Sequence, residues 1–324
     1  MPTARRQHLA RIMFCTAVLP LAACGTGQDQ GDAAEALWAV LEADPTAEPQ
    51  ATSLFGDPLY ALVDTTGAIA EADRALREAP ADVEALIAAG RVRRDFWQYR
   101  QAMALYSRAI ELKPDDWRPY RYRGHRYISV RDFDRAVADL ERARELAPMN
   151  WDVSYHLGLA YYLSGQFPEA NDEYSRCLSL SEDEGAREAQ ADDFRSCSEN
   201  GTDPESLVAM TEWAVRAALR AGRREDAEAL LARIPLDLEV SENLAYYHDL
   251  LLYKGVKTPE QLLNPGPDGP YRRETVGYGV ANWYLVQGDT AQAIQLLEEL
   301  VQDPWWPGFG RIASEVELAR LTGR

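Results

Sequence analysis

The sequence predicts an all-α fold, a solenoid of stacked helical hairpins, and three observations carry this prediction. The residues from 83 to 184 divide into three windows of equal length, which are 83–116, 117–150 and 151–184. Each window holds two apolar patterns at helical spacing, separated by a short polar turn. Small residues recur where the two helices of a hairpin would cross, and these are Gly90, Gly124, Gly158, Ala102, Ala136 and Ala170. A single hairpin cannot bury its apolar face alone, so such units stack on one another.

Further positions follow the same period of 34 residues. Large apolar side chains repeat at two places in each second helix, and these are Tyr99, Phe133, Phe167, Tyr106, Leu140 and Tyr174. Pro114 and Pro148 would end the second helix of the first two windows. Together these positions resemble the signature of the tetratricopeptide repeat (TPR). The resemblance implies a right-handed superhelix whose concave face binds proteins or peptides.

The helical pattern continues less clearly on both sides of the three windows. Residues 51–82 predict a partial unit, and residues 205–307 predict divergent hairpins of the TPR type. Residues 308–324 predict a helix that caps the C-terminal end of the solenoid. We expect Trp305 and Trp306, which precede this helix, to seal that end of the core.

Two segments are not expected to join the solenoid. Residues 24–50 are polar and predict a tether, with room for a short helix at 33–43. Residues 185–204 predict an acidic surface insertion, since the stretch from 182 to 205 holds nine acidic residues against two arginines.

The N-terminus has the organisation of an export signal. Three arginines precede an apolar run over residues 12–23. This run of about twelve residues is shorter than the ~20 that a membrane-spanning helix needs. It ends in the residues LAAC, which resemble the bacterial lipobox. The resemblance implies a signal peptide over residues 1–23 and a lipid attached to Cys24, whereas the alternative is an ordinary signal in which Cys24 has no role.

A lipid on Cys24 would anchor the mature chain in a membrane of the bacterial envelope. Gly25 follows the cysteine, and we expect it to favour the outer membrane, with the protein facing the periplasm. Removal of residues 1–23 leaves 31 basic against 52 acidic residues, a net charge of −21. Such a charge argues against a nucleic-acid partner.

The remaining cysteines and histidines do not form a recognisable catalytic or metal-binding motif. Cys177 and Cys197 would meet an oxidising compartment, where they form either a disulfide or two separate thiols. The histidines left after cleavage lie in different predicted helices without metal-ligand spacing. We find no phosphate-binding glycine loop and no hydrolase or metal motif. The sequence therefore predicts no enzymatic activity, no cofactor and no metal.

The TPR resemblance implies a ligand groove along one stripe of the first helices. The residues carried over to this stripe are Arg91, Arg94, Arg118, Arg121, His125, Tyr155 and Tyr162. Arginine and tyrosine are frequent in binding hot spots, and guanidinium groups favour carboxylates or phosphates. The carboxylate clamp of chaperone-binding TPR proteins is not inherited, because Ile87, Arg91 and Tyr122 occupy its lysine and asparagine positions.

Three interpretations of this stripe stay open. The groove could bind a protein or peptide partner, or an anionic glycan or export polymer. The arginines could instead be paired with Glu84, Asp95 and Asp152. The acidic insertion could also fold over the groove and mask it. The function predicted is a membrane-anchored scaffold or adaptor in the bacterial envelope, with polymer binding as the alternative.

Overall fold

The computed structural model describes residues 27–180, 195–264 and 273–323. The predicted signal peptide over 1–23, the lipid-bearing Cys24 and residues 185–194 of the insertion lie outside the described residues. Throughout the described ranges the fold is almost entirely helical. No helix among them combines the length and the apolar character that crossing a bilayer requires.

The N-terminal half begins with a helix and a small hairpin of strands, followed by helix α2 and three pairs of helices. These elements are α1 Gly27–Glu42, β1 Ala51–Thr52, β2 Pro58–Leu59, α2 Ala68–Glu78, α3 Val83–Asp95, α4 Tyr99–Leu112, α5 Trp117–Ser129, α6 Phe133–Leu146, α7 Trp151–Leu163 and α8 Phe167–Leu180. The two strands pair antiparallel. The first helices of the three hairpins α3/α4, α5/α6 and α7/α8 therefore start 34 residues apart.

The C-terminal half opens with a 3₁₀ helix, Cys197–Gly201. The helices that follow are α9 Pro204–Arg220, α10 Arg224–Ala232, α11 Leu244–Tyr253, α12 Pro259–Leu263, α13 Arg273–Gln287, α14 Thr290–Leu300 and α15 Phe309–Thr322. Helices α9/α10 and α13/α14 form further hairpins. The predicted all-α solenoid of TPR-type hairpins is confirmed.

The sequence of each unit starts and packs its hairpin in the same way. Asp82, Asp116 and Asn150 cap the first helices, because each side chain accepts a hydrogen bond from a backbone N–H of the first turn. A Cβ added to Gly124 would lie 2.7 Å from Cγ of Leu140 on the second helix. The glycine is therefore needed for the close approach of the two helices.

The segment predicted as a tether is partly packed against the solenoid. Helix α1 is longer than the short helix expected at 33–43 and contacts α4. Leu37 and Leu41 lie four residues apart and so share one apolar face, and Leu41 is buried in a cluster with Leu76. The prediction of a free polar tether is therefore wrong for residues 27–50.

A disulfide joins Cys177 of α8 to Cys197, with the Cα atoms 5.0 Å apart. The backbone N–H of Trp151 donates to the Arg195 carbonyl at 2.9 Å, and that of Cys197 donates to the Met149 carbonyl at 2.8 Å. The described end of the insertion is thus held against α7 and α8.

The C-terminal segment folds back onto the hairpin turns of the first three units. These turns place Trp97, Arg131 and Gly165 in the left-handed backbone region, at φ 58°, 67° and 81°. The ring of Trp97 meets that of Trp305 edge-on at 5.4 Å. Arg131 donates to Glu315 at 2.7 and 3.0 Å, while Arg320 donates to the Leu163 carbonyl at 2.6 Å.

This contact closes the solenoid on itself. Trp306 is buried with Leu59 and Tyr99, and its Nε1 donates to the Tyr60 carbonyl at 3.0 Å. The two tryptophans therefore join the C-terminal end to the first unit, which goes beyond their expected role of sealing one end.

Candidate functional site

Most arginines of the predicted groove are neutralised by neighbouring acids. Nη1 of Arg118 donates to Glu84 and Nη2 of Arg121 donates to Asp152, both at 2.9 Å. Arg94 pairs with Asp95, also at 2.9 Å. Hydrogen bonds to Asp116 and Glu84 raise the pKa of Arg118. Glu84, Asp95 and Asp152 are the acids expected if the arginines are paired, so the stripe is not a continuous cationic groove.

Arg91 differs from the other stripe arginines. It is exposed, lies 5.8 Å from the centre of the Tyr122 ring, and forms no ion pair with any described residue. Arg91 does not line the α3–α5 pocket described below.

Tyr155 and Tyr162 are not available to a ligand, which corrects their placement in the groove. The Tyr155 hydroxyl accepts from Nε1 of Trp213 at 3.1 Å and lies 3.0 Å from the Tyr246 hydroxyl. The Tyr162 hydroxyl lies 2.8 Å from that of Tyr278. The divergent hairpins curve back, so α9, α11 and α13 cover the inner face of the third unit.

His125 lies where the open inner face begins. Its ring centre is 4.3 Å from that of His156 and 5.1 Å from that of Phe309. Burial, with the nearby charge of Arg126, keeps the pKa of His125 well below its usual value. The imidazole is therefore neutral near pH 7 and forms part of a wall.

A cavity of about 350 Å³ opens beside His125, and we name it the α3–α5 pocket. It lies between α3, α5 and the residues that lead into α15. Its lining residues are Arg94, Asp95, Trp97, Tyr99, His125, Arg126, Ser129, Trp305, Pro307, Gly308 and Phe309. The pocket thus combines aromatic walls with two arginines, and it exists because the C-terminal segment docks on the first unit.

Arg126 is the least expected member of this pocket. Only 4% of its surface is exposed, and its guanidinium lies 4.6 Å from the centre of the Tyr99 ring. Burial lowers its pKa. In the described part of the chain no carboxylate forms an ion pair with it.

Sequence reasoning missed Arg126 because it follows His125 and lies off the predicted stripe. A signal was nonetheless present in the repeat register. The equivalent positions of the first and third windows hold Val92 and Ala160, both apolar. The arginine at this inward position therefore departs from the apolar residues of the other two windows.

Exposed apolar side chains occur on the pocket wall and on the segment that hydrogen-bonds beside it. Eight large apolar residues are exposed in the described ranges, and five of them are Leu54, Tyr60, Leu62, Val63 and Trp305. The backbone N–H of Leu62 donates to the Phe96 carbonyl at 2.8 Å, next to the pocket wall. We name residues 60–63 together with Trp305 the apolar rim. Neighbouring exposed apolar residues mark an interaction surface more often than single scattered ones do.

A second cavity of about 510 Å³ lies on the other side of Phe309, and Glu242 and Glu274 are among its lining residues. Its acidic lining distinguishes it from the α3–α5 pocket. No group of three or more His, Cys, Asp or Glu side chains with metal-binding geometry occurs in the ranges that the structure describes.

Comparison with known proteins identifies repeats of one family. A tetratricopeptide repeat family model matches residues 122–185. The small glutamine-rich tetratricopeptide repeat-containing protein 2 of Saccharomyces cerevisiae is 32% identical over 98 residues, which cover 30% of this chain. The chain matches only 28% of that relative's length.

Two solved structures match the chain at low sequence identity. YrrB, described as a TPR protein with an unusual peptide-binding site, is 16% identical and superimposes with a TM-score of 0.41. The match covers 71% of this chain and 90% of YrrB. One MamA structure is 17% identical with a TM-score of 0.42, and the match covers 71% of this chain and all of MamA.

Proposed function

We propose that this protein is a scaffold that binds a protein or peptide partner and holds it at a membrane of the bacterial envelope. The TPR fold supports a role in protein–protein interaction. The proposal assigns no catalytic step and no cofactor to the chain. An anionic glycan or export polymer is disfavoured, because Arg94, Arg118 and Arg121 are each paired with a carboxylate.

The observation that carries the proposal is the apolar rim beside an open pocket. Val63 is 66% exposed, Tyr60 is 47% exposed and Trp305 is 43% exposed. Aromatic side chains of this kind contribute strongly to protein interfaces, because they bury large areas with few rotatable bonds. The partner is therefore expected to contact the rim and to insert a side chain or chain end into the α3–α5 pocket.

Membrane anchoring is proposed from the N-terminal sequence. The arginines, the short apolar run and Cys24 support a lipid anchor at the start of the mature chain. The disulfide between Cys177 and Cys197 is in keeping with an oxidising compartment such as the periplasm. Gly25 supports the outer membrane as the site of attachment.

Two matched valine variants test partner binding. Tagged wild type, Val63→Arg and Val256→Arg would be crosslinked in native membranes, purified, and their captured proteins identified by mass spectrometry. Val256 is also exposed, at 51%, and belongs to the turn after α11. We expect Val63→Arg to lose specific partners at least about tenfold, and Val256→Arg to keep them. Equal capture by both variants would contradict the rim as the binding surface.

The anchor needs a separate experiment. Cys24→Ser, exported with an ordinary secretory signal peptide in place of residues 1–23, should move the protein from the membrane pellet to the soluble periplasmic fraction. Retention of the Cys24→Ser variant in the pellet would contradict the lipid anchor without affecting the test of the rim.

A further inference from the structure

We infer that the α3–α5 pocket binds one carboxylate group carried beside an apolar or aromatic group, with Arg126 as the ion-pair partner. This inference rests on the proposed binding function and names the chemistry of what enters the pocket. The carboxylate could belong to the end of a peptide chain or to a free small acid.

Arg126 has no carboxylate partner among the described residues. Three other arginines with largely buried side chains each pair with a carboxylate: Arg93 with Asp73 at 2.7 Å, Arg123 with Asp139 at 2.7 Å and Arg131 with Glu315 at 2.7 Å. Arg126 is as buried as these, yet within the described ranges it pairs with no acid. Buried charges are normally paired, so a bound anion would complete this site.

The guanidinium of Arg126 lies next to an aromatic ring. Its Cζ lies over the ring of Tyr99, 4.6 Å from the ring centre. The N–H groups along its edge suit two parallel hydrogen bonds to a carboxylate. Arg94 lines the same pocket with 34% of its side chain exposed, and its charge is balanced by Asp95, so Arg126 carries the pocket's unpaired positive charge among the described lining residues.

The walls of the pocket are largely aromatic. Trp97, Trp305 and Phe309 present aromatic surface to the cavity. A volume of about 350 Å³ is at the small end of ligand pockets and suits a group of amino-acid size. Asp95 lines the same pocket and repels ligands with several negative charges. A single carboxylate beside an apolar group fits these features better than a phosphate or a polymer does.

The site shares only Arg94 and His125 with the groove that the TPR resemblance implies. Arg126 lies off the stripe on which that groove is built, and the third-unit part of the stripe is covered by the protein's own helices. Two of the pocket walls, Trp305 and Phe309, come from the C-terminal segment. The pocket therefore forms because the C-terminal segment packs against the first unit.

The inference is tested with a pair of probes that differ only in charge. The peptide N-acetyl-Ala-Ala-Phe is used as the free acid and as the carboxamide, and binding is followed by NMR shifts of the tryptophan indole N–H groups. The full mature protein is used, as wild type, Arg126→Gln and Arg91→Gln. Arg91→Gln is the matched control, because Arg91 also has no carboxylate partner among the described residues but is exposed.

We expect wild type to bind the acid at least about tenfold more tightly than the amide, which corresponds to about 1.4 kcal/mol. Arg126→Gln should bring this ratio close to one, and Arg91→Gln should keep it. A thermal melt followed by circular dichroism checks that each variant is folded. If Arg126→Gln does not fold, Arg94→Gln takes its place and should lower the ratio by a smaller factor.

Three results would overturn the inference: equal binding of acid and amide, a ratio unchanged in Arg126→Gln, or no saturable binding of either probe at millimolar concentration. A further arm with N-acetylphenylalanine identifies the source of the carboxylate. Binding as tight as that of the tripeptide indicates a free small acid, whereas much weaker binding indicates a peptide end. Capture of partners lost only in Val63→Arg would show that the scaffold proposal stands even if the carboxylate assignment fails.

Discussion

Replacement of Arg131 by glycine tests whether the C-terminal segment stabilises the fold. Arg131 lies in the second hairpin turn at φ 67°, where the corresponding turns of α9/α10 and α13/α14 use Gly222 and Gly288. Its guanidinium makes hydrogen bonds of 2.7 and 3.0 Å with Glu315 of α15. The substitution therefore relieves the backbone and breaks the ion pair at the same time.

The two effects have opposite signs and different sizes. A left-handed conformation costs a non-glycine residue roughly 1–2 kcal/mol, which Arg131→Gly would recover. The side chains of Arg131 and Glu315 are only 3% and 0% exposed, and removal of one partner of such a pair costs about 3–5 kcal/mol. Arg311 remains 3.2 Å from Glu315 and compensates in part. The expected net loss in the free energy of unfolding is about 1–4 kcal/mol.

Urea unfolding followed by circular dichroism measures this loss. Arg135→Gln serves as the control, because Arg135 is 70% exposed and pairs with Asp132 of the same turn, so its loss should be under about 1 kcal/mol. If Arg131→Gly were as stable as wild type, the contact with α15 would contribute no more than the roughly 1–2 kcal/mol that the glycine recovers, and the expected cost of about 3–5 kcal/mol for breaking the buried pair would be refuted.

Three further predictions concern stability. Cys177→Ser removes a crosslink between residues 20 apart in sequence and should cost about 3 kcal/mol in urea unfolding; two alkylated thiols in unreduced wild type would contradict it. Gly124→Ala should cost about 1–3 kcal/mol, because the new Cβ meets Leu140, and an unchanged urea midpoint would contradict this. Burial lowers the pKa of His156 to about 3, so the unfolded chain takes up a proton below about pH 6.5 that the folded chain refuses. Stability should therefore fall as the pH drops from about 6.5 towards 3, by about 2 kcal/mol at pH 5 from this histidine. His156→Gln should lack that part of the loss, and equal pH profiles for both proteins would argue against a buried neutral imidazole.

The helical units could be predicted from sequence because their signals are local. Gly124 and Leu140 lie 16 residues apart and meet within one hairpin, so the 34-residue period contains everything that shapes the unit. The fold class follows from repeating that arrangement. A short helix at 33–43 could be expected from the sequence, but the length of α1 and its packing against α4 could not.

The site could be predicted only in part, because closure of the solenoid is not local. Tyr155 is covered by a contact 91 residues away and Tyr162 by one 116 residues away, and no period links these positions. The pocket walls Trp305 and Phe309 come from beyond the clear repeats for the same reason. His125 and Arg94 were found from the TPR stripe, whereas Arg126 needed a comparison of each position across the windows.

Site-specific photocrosslinking tests the central claim, that a partner binds at the apolar rim beside the α3–α5 pocket. A photoreactive phenylalanine analogue would replace Trp305 or, as the control, Leu236, which is 60% exposed elsewhere on the molecule. The partner identified by mass spectrometry should form its covalent adduct from position 305 and not from position 236. Adducts from position 236 alone would place the partner on another face and contradict the account.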